Sequence, residues 1–235
     1  GRPAPQPMVV ATPAAAVTAT PGETIVSVDA RRATRVSVHS GQAEVRARGQ
    51  RIVVPEGFGN RTEAGQRPTP PRPLPARPRF TSAPPRLVFV RSGATDVRAT
   101  YEPPANTPAP ARWRVQFARD EHFRDLVSDQ RVDAAQTSFE ALALGPGRYF
   151  LRARAIDADQ FESGPSEVQR VRVVAPSVRP SAPGRRAAVV VDNGLFCSLD
   201  GGAFTEVAAP LELAPARAHV VRCADEASGN NPVEF

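Results

Sequence analysis

RPTPPRPLPARPRFTSAPP, residues 67–85, places eight prolines among nineteen residues. Proline lacks a backbone N–H and fixes φ, so this run fits neither a central strand nor a helix interior. Extended, polyproline-II-like backbone is therefore expected here, lying between folded units as a spacer or packed along one of them as a strap. A second proline cluster lies at residues 176–183. The two clusters together predict a series of small modules rather than one large core.

Composition is compatible with this division. A chain of 235 residues can form one large domain or two to three small ones, and a hydrophobic content of 41% allows compact cores. All 30 basic residues are arginine, which indicates a high-GC bacterial genome. No stretch approaches the ~18 consecutive apolar residues of a membrane span, so none is predicted in this chain. Gly1 is not an initiator residue, and a longer precursor is expected.

The net charge of +6 is unevenly distributed. Residues 1–79 contain twelve arginines against five acids, residues 80–175 thirteen against twelve, and residues 176–235 five against seven. The basic first third is predicted to face an anionic cell-wall polymer or an envelope protein, the alternative being a merely solvated basic surface. Aromatic residues make up only 6%, which disfavours a base-stacking platform, and no nucleic-acid partner is predicted.

The pattern predicts an all-β, multi-module chain: an antiparallel β meander and immunoglobulin- or fibronectin-III-like β-sandwiches joined by proline-rich segments. The predicted units are a Pro/Ala-rich segment at 1–22, a β domain at 23–66, a connector at 67–85, a sandwich at 86–175, a linker at 176–184 and a small module at 185–235. In the β domain, Val36, Val38, Ala43 and Val45 alternate with polar residues and should point inward around a turn at Ser40-Gly41.

The first β domain carries a family resemblance. Over residues 9–66 it resembles the C-terminal half of the FecR-like domain, through the valine-spaced hairpin at residues 36–45 followed by Pro55, Gly57 and Gly59. Members of that family are bacterial envelope proteins, some acting as sigma-factor regulators and others as periplasmic or exported proteins. The resemblance implies a periplasmic or cell-surface location.

The second unit reads as strand after strand at ~10-residue spacing. Trp113, Val115 and Phe117 alternate with polar residues, as do Tyr149 and Leu151 after the Gly-Pro-Gly turn at residues 145–147. These residues are predicted to be buried. The phrases W-x-V-Q-x-A, L-x-P-G-x-Y and S-G-P-S resemble a fibronectin type III or related immunoglobulin-like sandwich. That fold is a scaffold and implies no chemistry by itself.

The third unit contains the only two cysteines, Cys197 and Cys223, on two predicted strands. It resembles the small immunoglobulin-like modules of bacterial surface proteins. A disulfide between these cysteines would close a loop of roughly 27 residues and contribute ~3.5 kcal/mol to so small a core. It would also indicate an oxidising compartment, the periplasm or the exterior. Two buried free thiols are the alternative.

Other chemistry-bearing residues give weak signals. His39, His122 and His219 are far apart in sequence, His39 should face outward beside Val38, and no G-x-S-x-G nucleophile elbow occurs. Asp157, Asp159 and Glu162 could hold Ca²⁺, but they lack the EF-hand spacing and suit a turn equally well. No catalytic residue, metal site or cofactor is predicted.

These features predict a non-catalytic, exported envelope protein that acts as a binding or scaffolding component. Its expected partners are envelope or surface proteins, anionic wall polymers, or further copies of itself joined through free sheet edges. One alternative is the periplasmic sensor part of a FecR-type sigma-factor regulator. Another is an accessory module of a polysaccharide-active enzyme, which an exposed aromatic platform would favour.

Overall fold

The computed structural model describes residues 7–90, 93–183, 186–191, 194–215, 217–230 and 232–234. Within these ranges the chain forms strands and no helix, which confirms the predicted all-β class. Alternating apolar and polar residues favour this outcome because they match the two-residue period of a pleated strand. The strands form six sheets, two in each of three successive units.

The first unit is a sandwich of two four-stranded antiparallel sheets, ordered β1-β2-β5-β6 and β3-β4-β7-β8. Small side chains, mostly valine and alanine, fill the space between the sheets. Its strands are β1 (Met8–Ala11), β2 (Ala16–Ala19), β3 (Thr24–Val28), β4 (Thr34–Val38), β5 (Gln42–Ala47), β6 (Gln50–Pro55), β7 (Phe58–Thr62) and β8 (Arg72–Pro73).

The hairpin predicted around Ser40-Gly41 does not form. The segment instead crosses from one sheet to the other, because β4 pairs with β3 and β7 while β5 pairs with β2 and β6. Gly41 has φ +80°, and a Cβ there would lie 2.8 Å from the carbonyl oxygen of Pro21. The valines predicted to point inward do so, but from two facing sheets rather than from one meander.

The second unit packs a three-stranded sheet, β14-β11-β9, against a five-stranded sheet, β10-β16-β15-β12-β13. The pairing of β10 with β16 is parallel and the others are antiparallel. Its strands are β9 (Arg79–Ser82), β10 (Leu87–Phe89), β11 (Thr95–Glu102), β12 (Arg112–Ala118), β13 (Leu126–Asp133), β14 (Ser138–Leu144), β15 (Gly147–Ile156) and β16 (Gln169–Val174).

Aromatic side chains dominate the core of this unit, as the alternation predicts. Trp113 is 1% exposed and packs edge-on against Tyr101, and Phe117 stacks on Tyr149 at 5.2 Å between ring centroids. The indole N–H donates to the carbonyl oxygen of Ala134, so its polar atom is satisfied despite burial. Such rings contribute more buried area than any aliphatic side chain.

The third unit is small and also has two sheets, β17-β18-β21 and β20-β19-β22-β23. Its apolar cluster includes Leu87 and Val174, which belong to β10 and β16 of the second unit. The third unit therefore completes its core with residues of its neighbour. Its strands are β17 (Ser177–Arg179), β18 (Ala188–Val190), β19 (Phe196–Leu199), β20 (Thr205–Glu206), β21 (Leu211–Glu212), β22 (Val221–Ala224) and β23 (Val233–Glu234).

The proline-rich stretches contribute strands to the units beside them. The segment 1–22, of which residues 1–6 lie outside the described ranges, supplies β1 and β2; the connector 67–85 supplies β8 and β9; the linker 176–184 supplies β17. Proline is tolerated at sheet edges, where one side of the backbone needs no partner. Four of these strands, β1, β8, β9 and β17, are edge strands.

Candidate functional site

Cys197 and Cys223 lie directly opposite each other on β19 and β22 and are joined by a disulfide. Both are almost fully buried and belong to the apolar cluster of the third unit. The bridge therefore links the two central strands of the four-stranded sheet of the third unit.

His39 is buried, which contradicts the outward position predicted for it. Strand β4 is covered on both sides: Val36 and Val38 face the core of the first unit, and the opposite face packs toward the second unit. Burial, followed by the nearby Arg154 charge, lowers the pKa of His39 to about 4. Its Nε2 has no hydrogen-bond partner within the described part of the chain.

The other two histidines have local roles. His219 lies between the Asp200 carboxylate and the carbonyl oxygen of Ala214, each 2.8 Å from a ring nitrogen, and these hydrogen bonds raise its pKa. His122 is exposed beside Glu121 in a turn. No two of the three histidines come together.

The acids considered for Ca²⁺ bind arginine instead. Asp157 and Asp159 both pair with Arg72, and Glu162 pairs with Arg114 and Arg131 at 3.0 Å each. The described residues contain no group of three or more His, Cys, Asp or Glu side chains suited to a metal ion.

The main polar feature is the outer surface of the five-stranded sheet, which we call the arginine face. Its rows place like charges directly opposite one another: Arg131, Arg114 and Arg154 in one row, and Arg148 opposite Arg172 in another. Like charges in such positions repel, so each row requires anions nearby. The face carries Arg112, Arg114, Arg131, Arg148, Arg152, Arg154, Arg170 and Arg172.

The closed end of this face comprises Arg114, Arg131, Arg152 and Arg154, and the chain itself supplies a partner for each of these four arginines. Glu162, whose side chain is 7% exposed, lies between Arg114 and Arg131. On the other side, Asp129 accepts two hydrogen bonds from Arg114, at 2.8 and 2.6 Å, and these keep the pKa of Asp129 low. The same contacts raise the pKa of Arg114.

The first unit covers part of this closed end, above all Arg154. Arg154 is 1% exposed; it donates to Glu23 of the first unit and, at 2.9 Å, to the carbonyl oxygen of Ser163. Arg152 donates to the Gln116 side-chain oxygen, and its guanidinium lies 3.9 Å from the centre of the Phe123 ring. Burial and then the Arg154 charge lower the pKa of Arg152 to about 10, so it stays charged at neutral pH.

The proline-rich run is an ordered strap across the same junction. Arg72 binds Asp157 and Asp159 and lies 4.9 Å from the centre of the Phe161 ring. Phe161 in turn packs onto Gly59 of β7, where a Cβ would lie only 2.6 Å from the ring. The run enters the first unit through β8 and leaves through β9 into the second.

The open end of the arginine face comprises Arg148, Arg170 and Arg172. Together with Arg86 these residues line a groove of ≈ 320 Å³ beside the third unit. Arg172 lies 3.5 Å from Asp225, Arg170 lies 3.7 Å from Glu121, and Arg86 pairs with Glu226 just outside the groove. Arg148 forms no ion pair with any acid among the described residues.

The alternation of Tyr149 and Leu151 with polar residues places Arg152 and Arg154 on the outer face but assigns them no role. The signal was present in GRYFLRARAID and QRVRVV, where arginine alternates with apolar residues on neighbouring strands. A solvated face would read the same way. Only the register of β15 against β12 and β16 shows that these arginines form continuous rows.

No helix in the described ranges is long and apolar enough to cross a membrane. No protein-family model and no curated protein matches the chain.

Among solved structures, the extracellular domain of a putative one-component system from B. thetaiotaomicron aligns at 10% identity and TM-score 0.29. The match covers 71% of this chain and 28% of that one. A putative membrane-anchored protein from Corynebacterium diphtheriae aligns at 12% identity and TM-score 0.33, covering 92% of this chain and 52% of that one. A likeness at these scores supports no inference about role. The FecR-like and fibronectin type III resemblances stay predictions.

Proposed function

We propose that this chain is a non-catalytic, exported scaffold that acts by binding at the bacterial cell envelope. The observation that carries the proposal is the junction of the first and second units, where ion pairs and the strap hold two sandwiches together. Glu23 reaches Arg154 across the junction, and Arg72 of the strap reaches Asp157 and Asp159. Such a junction restricts relative motion, which a scaffold requires and an independent string of modules lacks.

Export is supported by the disulfide between Cys197 and Cys223, because such bonds persist in oxidising compartments. A binding role, rather than catalysis, is supported by how the polar groups are used. Glu162 and Asp157, the most plausible acid–base groups of the second unit, are engaged by arginine. Trp113 is buried in the core, so it offers no platform for stacking on sugars.

Part of the basic charge of residues 1–79 has a structural role, because several of its arginines form ion pairs. Arg35, Arg46 and Arg61 pair with acids of the first unit itself. Arg72 and Arg79 pair with acids of the second unit. Pairs within the first unit leave the surplus of seven arginines unchanged, and the pairs of Arg72 and Arg79 with the second unit account for two of the seven.

Small-angle X-ray scattering of the full chain tests the rigid junction. The Arg72→Ala/Arg154→Ala double variant should increase the radius of gyration, because both cross-junction contacts are lost. Arg98→Ala is a matched control, since Arg98 lies on β11, away from the junction, and pairs only with the exposed Glu140. If the unaltered chain already scatters as freely moving units, or if Arg98→Ala expands it equally, the scaffold proposal fails.

A further inference from the structure

The groove at the open end of the arginine face has an unusual charge arrangement. Arg148 and Arg172 lie directly opposite each other on β15 and β16, and Arg170 is one position further along on the same side. Like charges opposite one another destabilise a sheet. The arrangement therefore costs stability unless an anion lies between the guanidinium groups.

The closed end shows what satisfies such a cluster. There, Glu162, Asp129 and Glu23 balance Arg114, Arg131 and Arg154, and the fourth arginine, Arg152, has the Gln116 oxygen and the Phe123 ring. Each arginine has a specific partner on the same chain.

The open end has the same numbers, four arginines and three acids, but its fourth arginine has no such partner among the described residues. Asp225, Glu121 and Glu226 lie beside Arg172, Arg170 and Arg86, two of them at the long distances of 3.5 and 3.7 Å. Arg148 is exposed and has no partner among the acids described. The cluster therefore has room for one additional oxyanion, which a guanidinium fork binds through two parallel hydrogen bonds.

The acids in the groove narrow the class of ligand. Glu121 and Asp225 line it together with the arginines and the half-buried Phe150. Carboxylates accept hydrogen bonds from hydroxyl groups but repel a densely charged polyanion. A ligand that carries both hydroxyl groups and an acidic group matches this lining. The volume of ≈ 320 Å³ is at the lower end of the range for small-ligand sites.

We infer that this groove binds an acidic saccharide, with the oxyanion between Arg148 and Arg170 and the hydroxyl groups toward Glu121 and Asp225. This inference rests on the proposed binding role at the envelope and gives that role a site. Its test does not depend on the junction of the first two units. If the junction is rigid but no saccharide binds, only this inference fails. If a saccharide binds but the units move freely, only the scaffold proposal fails.

The test is isothermal titration of the full chain with trigalacturonic acid at about 50 mM NaCl, where charge interactions are weakly screened. The wild-type chain should bind it, and the neutral methyl ester should bind at least tenfold more weakly. Arg148→Ala and Arg170→Ala should each weaken binding at least tenfold. Arg112→Ala, which removes an exposed arginine at the far edge of the same face, should leave the affinity within twofold.

Several outcomes would overturn the inference. Failure of the wild-type chain to bind would remove the site. An equal loss of affinity in Arg112→Ala would show that binding depends only on the net charge of the chain. Inorganic phosphate binding as tightly as the oligosaccharide would mean that the sugar contributes nothing. A short oligothymidylate binding as tightly would assign the groove to nucleic acid. The emission of Trp113, the only tryptophan, verifies that each variant is folded.

Discussion

The two ends of the arginine face use the same residue type and reach different results. At the closed end, Arg114 and Arg154 lie opposite each other, and they pair with the buried Glu162 and with Glu23 of the first unit. At the open end, the exposed Arg148 lies opposite the buried Arg172 at the edge of a groove. An arginine row is thus structural when the chain supplies the counter-charge and available for a ligand when it does not.

The largest expected effect comes from destabilising the third unit, which forms one wall of the groove at the open end. Reducing the Cys197–Cys223 disulfide should destabilise the third unit by ~3.5 kcal/mol, because it frees a loop spanning 26 residues. Hydrogen exchange measured by mass spectrometry should then show loss of protection in β18, β19 and β22. Protection around Arg154 in β15 should persist. Equal loss at both ends would show that the units unfold as one body.

Acidification should act on the closed end through His39. Its pKa is about 4 in the folded chain, against 6.5 for the free side chain. Between these values the unfolded chain binds the additional proton, so stability is complete above pH 6.5 and falls toward pH 4. The loss attributable to His39 reaches at most ~3 kcal/mol. Denaturant titrations across this range measure it.

The matched variants isolate this titration from that of the carboxylates. His39→Gln should remove the additional pH dependence, whereas His122→Gln, which alters an exposed histidine, should keep it. If the stability of the wild-type chain and of His39→Gln changes with pH in the same way, the burial of His39 at the junction is contradicted.

Removing one acid from each end compares how much each acid contributes to the free energy of unfolding. Glu162→Gln should cost ~2 kcal/mol, because it leaves Arg114 and Arg131 facing each other at the covered end. Asp225→Asn should cost ~1 kcal/mol or less, because its contact with Arg172 is 3.5 Å long and the buried Arg172 keeps its hydrogen bond to the carbonyl oxygen of Gly194. Urea unfolding followed by Trp113 fluorescence reports both. Equal costs would mean that the acids of the chain stabilise the two ends equally, which contradicts the difference described above.

The smallest effect has the opposite sign. Arg148→Ala should stabilise the chain by a few tenths of a kcal/mol, because it relieves repulsion from Arg172 across the strand pair. Thermal unfolding of this variant beside Arg112→Ala measures the difference. A clear destabilisation by Arg148→Ala would show that an acid of the chain already satisfies Arg148.

The alternation in the sequence was sufficient to predict the all-β class and the burial of Trp113 and Tyr149. It could not predict which sheet a strand joins. The two-residue period is the same for a hairpin at Ser40-Gly41 and for a crossover between facing sheets. It also cannot show that a polar face is covered, so His39 and Arg154 read as exposed although a neighbouring unit buries both.

The proline run shows the same limit. Its prolines correctly excluded a central strand, but edge strands need hydrogen bonds on one side only, so β8 and β9 form within it. Arg72 gave no signal in the sequence, because its partners Asp157 and Asp159 lie far along the chain. Contacts between distant segments, not local propensity, make the run a strap.

The central claim is that the chain supplies a partner for every arginine at one end of the arginine face and leaves Arg148 at the other end for a ligand. Side-chain NMR of the arginine Nε–Hε groups during titration with trigalacturonic acid tests this most directly, with assignments from single variants. Shifts confined to Arg148, Arg170 and their groove neighbours, with Arg114, Arg152 and Arg154 unchanged, are the predicted result. Shifts at the closed end, or none at either end, would contradict it.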